Sequence, residues 1–202
     1  MFRWFALAVF IAALGISAWR RWLARRQMGS IPRGLEPPLL IAGRVFVAVP
    51  LFGGVVAYVA NPGWMAWASV SVPFWVRWLG VALGVLTVPT IHWVLATLGA
   101  NVSETILTKE HQTLVTAGPY RWVRHPLYSA GVALFLSIGL IAANWFIVLW
   151  ATIAVMAVRL LVVPREEAQL VLKFGNDYRL YQSQTGSMMP PLRGNRNPQR
   201  AG

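Results

Sequence analysis

Long apolar stretches separated by short polar ones set the plan of this chain. A membrane-spanning helix needs roughly 20 mostly apolar residues. Phe2 to Trp19 is a first, somewhat short run, and Leu39 to Ala60 is a second, interrupted only by Arg44 near its start. Trp78 to Leu98 is a third, containing Pro89 and His92. Pro89 removes a backbone donor, which predicts a kink, and His92 reads as a hydrogen-bonding group between helices. After the polar stretch Gly99 to Tyr128, apolar residues resume from Ser129 to Val163, too many for one ordinary span. Asn144 divides them into Ser129 to Ala142 and Trp145 to Val163, a close-packed hairpin. One long helix with an interfacial end is the alternative. The pattern predicts an all-α, polytopic transmembrane bundle of about five spans.

Beyond Val163 the pattern changes. Pro164, Glu166 and Glu167 suit a helix start, where carboxylates meet the positive end of the dipole. Leu170, Phe174, Tyr178 and Tyr181 follow at roughly helical spacing, so a C-terminal amphipathic helix is expected on the cytoplasmic side. Residues 1–192 read as one membrane domain, with poorly specified N-terminal helices over 1–76 and a core over 77–192. The polar tail 193–202 reads as disordered.

Charge orients the bundle. Only 12% of the 202 residues are charged, against about 25% in ordinary globular domains, and 57% are hydrophobic. In a soluble protein the net charge of +12 would suggest nucleic acid. Here the positive-inside rule accounts for it. Arg20, Arg21, Arg25, Arg26 and Arg33 stand against Glu36 after the first run, whereas Asn61 to Phe74 carries no charge. Lys109, Arg121 and Arg124 lie in the long polar stretch, and Arg165, Lys173 and Arg179 follow the last run. Five spans put all these basic regions in the cytoplasm and the N-terminus outside, as in a bacterial inner (plasma) membrane protein. Arg77 is the exception, expected to snorkel from the outer end of the third span. The first run ends in arginines and tryptophans, not in a small-residue cleavage site, and reads as a retained helix.

Candidate chemistry gathers in two clusters, GPYRWVRHPLY (Gly118 to Tyr128) and PREEAQL (Pro164 to Leu170). Either alone fits a plain interfacial loop or helix start. Placed on one face, they bring Tyr120, Arg121, Arg124, His125 and Tyr128 toward Glu166 and Glu167. A carboxylate of that pair can hold an ammonium or sulfonium group, and the loop offers backbone donors and aromatic faces. Pro119 and Pro126 stiffen the loop. His92, His111 and His125 lack metal-ligand spacing, so no metal is expected. There is no cysteine and no G-x-S-x-G, which leaves out thiolate chemistry and that type of serine hydrolase.

Together GPYRWVRHPLY and REEAQLVLKFGNDYRLY resemble the isoprenylcysteine carboxyl methyltransferase family, whose wider relatives include phospholipid N-methyltransferases. The resemblance covers about Trp78 to Leu192. It begins softly with RWLGVALG and TLGANVS and is specific at TLVTAGPYRWVRHPLYSAG and the EExxLxxxFGxxYxxY stretch. It implies five or more transmembrane helices and a cytosolic pocket for S-adenosylmethionine. The cofactor residues it carries over are Gln112, Thr113, Leu114, Val115, Tyr120, His125, Pro126, Leu127 and Tyr128. Glu166 would hold the methionine end, with Glu167 supporting the same region. Two positions depart from the family pattern. Carboxyl-methylating members often have an arginine where this chain has Val162, and another where it has Ser187. Arg159 and Arg165 are the candidate acceptor-side replacements.

The implied function is an integral membrane, S-adenosylmethionine-dependent methyltransferase acting on an apolar, lipid-linked or isoprenylated small molecule. The enzyme aligns donor and acceptor, and the acceptor enters sideways between helices. Phosphatidylethanolamine N-methylation is the alternative. A membrane reductase or a non-enzymatic membrane protein is the further one. Transport is disfavoured because the polar groups cluster at one side and not at mid-membrane.

Overall fold

A computed structural model describes residues 1–29, 37–102 and 111–191. Arg33, Glu36, Lys109 and the tail beyond 192 therefore lie outside the described residues. The described chain is helical throughout its ordered elements. In order they are α1 (Phe2–Met28), α2 (Pro38–Ala60), α3 (Phe74–Leu98), α4 (Pro126–Ala142), α5 (Trp145–Ala157), α6 (Val163–Phe174) and α7 (Asn176–Gln184). A π-helical turn, Val158–Val162, joins α5 to α6 without a break.

Four of these helical runs are long and apolar enough to cross a membrane: Phe2–Met28, Pro38–Ala60, Phe74–Asn101 and Trp145–Phe174. The expectation of about five full spans is corrected at α4, which has 17 residues. At 1.5 Å per residue that is about 25 Å, against a hydrocarbon core of about 30 Å. Its limits are local. Pro126 starts it after a non-helical His125, and Ala143, at φ 50°, turns the chain left-handed at its end. Protein covers much of α4, which lies among α1, α3 and α5 and buries residues from Pro126 to Ala142.

Other boundaries moved as well. The first helix runs on past Trp19 to Met28, because the arginines that follow are good helix formers. Pro50 and Pro89 are carried inside unbroken α2 and α3. Where one C-terminal helix is expected there are two, divided at Gly175, whose φ of 57° suits glycine and stops α6.

Asn144 is the hinge of the hairpin, as its place in the sequence suggests. Its side-chain oxygen caps α5 by accepting from the Ile147 amide at 3.2 Å. Its amide nitrogen donates to the Met65 carbonyl at 3.2 Å, tying the hairpin to the α2–α3 connection. At the same end Arg77 does not snorkel. It donates to the Ile141 carbonyl at 2.9 Å and the Tyr58 hydroxyl at 3.2 Å, and sits over the Phe2 ring. A guanidinium at the C-terminus of α4 meets the negative end of the helix dipole. His92 does bond between helices, accepting from Arg20 at 3.0 Å while Trp19 stacks on its ring.

The α3–α4 contact sets how closely the bundle packs. Gly80 and Gly84 are a G-x-x-x-G pair facing α4. A Cβ at Gly80 would stand 2.8 Å from the Ile141 nitrogen and 2.9 Å from the Ser137 carbonyl oxygen. Ser137 is fully buried against this seam. Gly80→Ala is therefore expected to destabilise the protein by about 1–3 kcal/mol through overpacking. Gly15→Ala, in open space on α1, is expected to be neutral or stabilising by up to about 1 kcal/mol. Unfolding midpoints of the two variants in detergent check the pair. Equal midpoints would remove the seam as a constraint.

Candidate functional site

The two sequence clusters meet at one end of the bundle. Glu167, on the first turns of α6, is their junction. Its Oε1 accepts from Arg124 Nε at 2.8 Å and lies 3.0 Å from His125 Nε2. Its Oε2 accepts from the Gln182 amide on α7 at 2.8 Å. A carboxylate can only accept, which assigns the Nε2 proton to His125. Arg124 extends further, donating to the Gln182 carbonyl at 3.0 Å and to the Thr185 carbonyl. The chain after α7 then lies along the loop. The Arg124 and His125 amides donate to the Gly186 and Ser187 carbonyls, both at 2.9 Å.

Glu166, one residue earlier, points elsewhere. Its Oε2 accepts from the Tyr128 hydroxyl at 2.9 Å and is 3.8 Å from His125 Nδ1. The Tyr128 and His125 rings stack with centroids 5.7 Å apart. Tyr181 donates to the Tyr120 carbonyl at 2.6 Å. Burial pushes the Tyr181 hydroxyl up to about 12, with the Arg124 charge opposing and the Glu167 charge adding, so it stays a donor at neutral pH. Burial, reinforced by the Glu166 charge, raises Tyr120 in the same direction.

Above these contacts opens a cavity of about 380 Å³. Gln112, Thr113, Leu114, Val115, Tyr120, His125, Leu127, Tyr128 and Glu166 all line it. Of the cofactor residues expected from sequence, Pro126 and Glu167 do not. Pro126 starts α4, and Glu167 lies behind the wall holding Arg124 and His125. The segment Gln112 to Val115 is clamped by Asn101. The Thr113 amide donates to Asn101 Oδ1 at 2.9 Å, and Asn101 Nδ2 donates to Thr113 Oγ1 at 3.2 Å. Gly118, at φ 58°, lets the loop turn within contact of Thr97 at the end of α3.

The sequence reading had assigned no ligand role to several lining residues. In sequence Arg21 reads as an orienting charge, Arg44 only as an interruption of the second apolar run, and Phe174 and Tyr178 as part of a helically spaced stripe. Tyr178 is 1% exposed, and its buried hydroxyl has no hydrogen-bond partner among the described residues. A buried hydroxyl without a partner is costly, and Tyr178 is one of the residues that line the cavity.

The wall built by α5, the π turn and α6 has a simple register. Val158, Val162, Glu166, Leu170 and Phe174 line the cavity at every fourth position. An α-helix drifts about 40° in four residues, and the wider π turn takes up part of that drift. Arg159 and Arg165 fall off this face. Both are exposed, and Arg165 donates to the Leu161 carbonyl at 2.6 Å. They line neither this cavity nor its neighbour.

The neighbour is an apolar cavity of about 450 Å³ between α1, α2, α4 and α5. It shares Arg21, Arg44, Leu127, Tyr128, Val158 and Val162 with the first cavity.

Comparison with known proteins finds likenesses of sequence and of fold. The protein of Bacillus subtilis (strain 168) described as uncharacterized protein YpbQ is 38% identical over 65 residues. That match covers 32% of this chain and 39% of the relative, so the chain spans about two fifths of that protein. The solved structure of the eukaryotic intramembrane Ras methyltransferase ICMT (isoprenylcysteine carboxyl methyltransferase) without a monobody superposes with a TM-score of 0.54 at 19% identity. It covers 92% of this chain and 67% of that one, and the likeness is one of fold. The sequence pattern of the phospholipid methyltransferase family matches residues 74–177, just over half of the chain and both of its polar clusters. The chain belongs to the phospholipid methyltransferase family.

Proposed function

We propose that the protein is an integral membrane methyltransferase that moves a methyl group from S-adenosylmethionine to a lipid-like or isoprenylated acceptor. The observation that carries this reading is the shared wall between a polar cavity and an apolar one. A water-borne donor and a membrane-borne acceptor need two such compartments with their mouths together.

The polar cavity suits the cofactor by its chemistry. Glu166 offers one carboxylate for a cationic end, oriented by the Tyr128 hydroxyl. Tyr178 offers a buried hydroxyl in want of a partner. Leu98, Leu114 and Val115 add apolar surface, and Tyr120 an aromatic face. When bound, S-adenosylmethionine supplies an electrophilic methyl group on its sulfonium. The protein's task is alignment and exclusion of water. Glu167 positions the site by fixing Arg124 and His125. A carboxylate acceptor is already nucleophilic. A phospholipid amine, the second reading and the one the family's name favours, must first lose a proton.

The cavity end of the bundle carries Arg20, Arg21, Arg25 and Arg26 of α1, and with it the loop and α6 basic residues. We assign this end to the cytoplasm of a bacterial inner membrane, with the N-terminus outside and α4 as a short fifth pass. In this cysteine-free chain, Gln27→Cys is expected to be labelled only from the cytoplasmic side and Trp64→Cys only from outside. The reverse pattern would overturn the orientation.

Calorimetric titration tests the cofactor site. Glu166→Gln is expected to weaken S-adenosylmethionine binding about tenfold or more, on the order of 1.5–3 kcal/mol for a charged hydrogen bond. Unchanged affinity in a folded variant would remove Glu166 from the site. Tyr178→Phe should leave the ligand-free protein as stable as wild type or more so, because the hydroxyl it loses has no partner. The same change should cost about 0.5–1.5 kcal/mol in cofactor binding. A loss of stability with no loss of binding would make Tyr178 a packing residue.

A further inference from the structure

One stretch of the polar cavity's wall is bare backbone. Gln112 to Val115 is extended chain outside any helix, and all four residues line the cavity. Each such residue carries one backbone donor and one acceptor that need partners. The Thr113 amide has one, Asn101 Oδ1 at 2.9 Å. The backbone groups of Leu114 and Val115 have none among the described residues, although both residues are half-buried. An unpaired backbone edge on a cavity wall is open to a ligand that brings its own donor and acceptor.

Asn101 stands where it can fix that edge. It ends the 3-10 turn Gly99–Asn101 that follows α3, and Gly99, at φ 57°, turns the chain out of the helix. The same turn packs against α1. Asn101 is 9% exposed and lines the cavity beside Thr113. It grips Thr113 at two points, because its Nδ2 also donates to Thr113 Oγ1 at 3.2 Å. Both of its amide atoms are thus engaged by one residue, twelve positions along the chain. Two bonds fix the orientation of the Thr113 backbone as well as its distance. Planar peptide groups pass that constraint on, so the directions open to the Leu114 and Val115 groups are limited too.

We propose that Asn101 is a positioning residue for the cofactor, holding Gln112 to Val115 so that the Leu114 and Val115 peptide groups stay free to bond bound S-adenosylmethionine. This rests on the methyl-transfer reading above and adds a residue outside the set expected to touch the cofactor. Asn101 acts through Thr113 and not on the ligand, since Thr113 already occupies both ends of its amide. Ordering a loose extended segment at the moment of binding weakens affinity. A clamp that orders the segment beforehand removes part of that cost.

Calorimetric titration of S-adenosylmethionine, with amide hydrogen exchange on the same proteins, tests this. In the wild type the Leu114 and Val115 amides are expected to exchange freely without ligand and to slow when S-adenosylmethionine is bound. Asn101→Leu keeps the side chain's shape and removes both bonds, and is expected to weaken binding about tenfold or more. Thr113→Val keeps the amide bond and removes the hydroxyl one, for a loss of about two- to fivefold. Asn101→Asp can accept from both the Thr113 amide and the Thr113 hydroxyl, and should bind within about threefold of wild type. Rescue by aspartate where leucine fails is the signature of the clamp, because a packing role would favour leucine. A wild type that binds the cofactor without slowing the Leu114 and Val115 amides would overturn the proposal, and needs no variant to fold. So would Asn101→Leu binding as wild type does, or Asn101→Asp binding no better than Asn101→Leu. Should Asn101→Leu not fold, wild-type affinity in Thr113→Val overturns it instead. A wild type that binds no S-adenosylmethionine at all overturns the methyl-transfer reading, and this role for Asn101 with it.

Discussion

One carboxylate holds the functional end of this protein together. Glu167 joins Arg124 and His125 of the loop before α4 to Gln182 of α7. A half-buried charge of this kind is costly unless every oxygen finds a partner. Here both oxygens do, and the partners come from segments far apart in sequence. That junction acts with the Tyr181–Tyr120 hydrogen bond and the Arg124 and His125 amide bonds to hold the loop beside α6 and α7, where Tyr128 reaches Glu166. The adjacent glutamates thus divide their work. One faces inward to the scaffold and the other faces the cavity, as neighbours about 100° apart on a helix must.

The same helical geometry decides which side chains can meet a substrate. The continuous run from α5 to α6 presents Val158, Val162, Glu166, Leu170 and Phe174 to the cavity. The arginines at neighbouring positions, Arg159 and Arg165, do not line it, whereas Arg21 on α1 and Arg44 on α2 edge both cavities. The close α3–α4 seam at Gly80 and the Asn144 hinge keep the helices near enough for these walls to face each other.

Much of this was legible in the sequence. Apolar run lengths located the long helices, and the density of polar and aromatic groups in GPYRWVRHPLY and PREEAQL marked two segments that supply part of the cavity's lining, Tyr120, His125, Tyr128 and Glu166 among it. Asn144 was readable because a polar residue in the middle of an apolar run has little reason to be there except a turn. The short length of α4 was not readable, since its start depends on Pro126 and a non-helical His125, and its end on the left-handed Ala143. Nor was the place of Arg21 and Arg44 in the cavity walls. In one dimension Arg21 is an orienting charge like its neighbours and Arg44 an interruption of an apolar run, and only the packing of α1 and α2 brings them to the same cavities. Tyr178 was visible as part of a stripe, but an unpaired hydroxyl is a property of three dimensions.

Under the proposed function a water-side donor and a membrane-side acceptor meet at one shared wall. Methyl transfer from S-adenosylmethionine labelled on its methyl group, with purified protein and a total bacterial lipid extract, tests it most directly. Label is expected in the organic phase, on a species carrying an apolar chain. Label confined to small water-soluble products, or no transfer at all by a protein that binds the cofactor and these lipids, would contradict it.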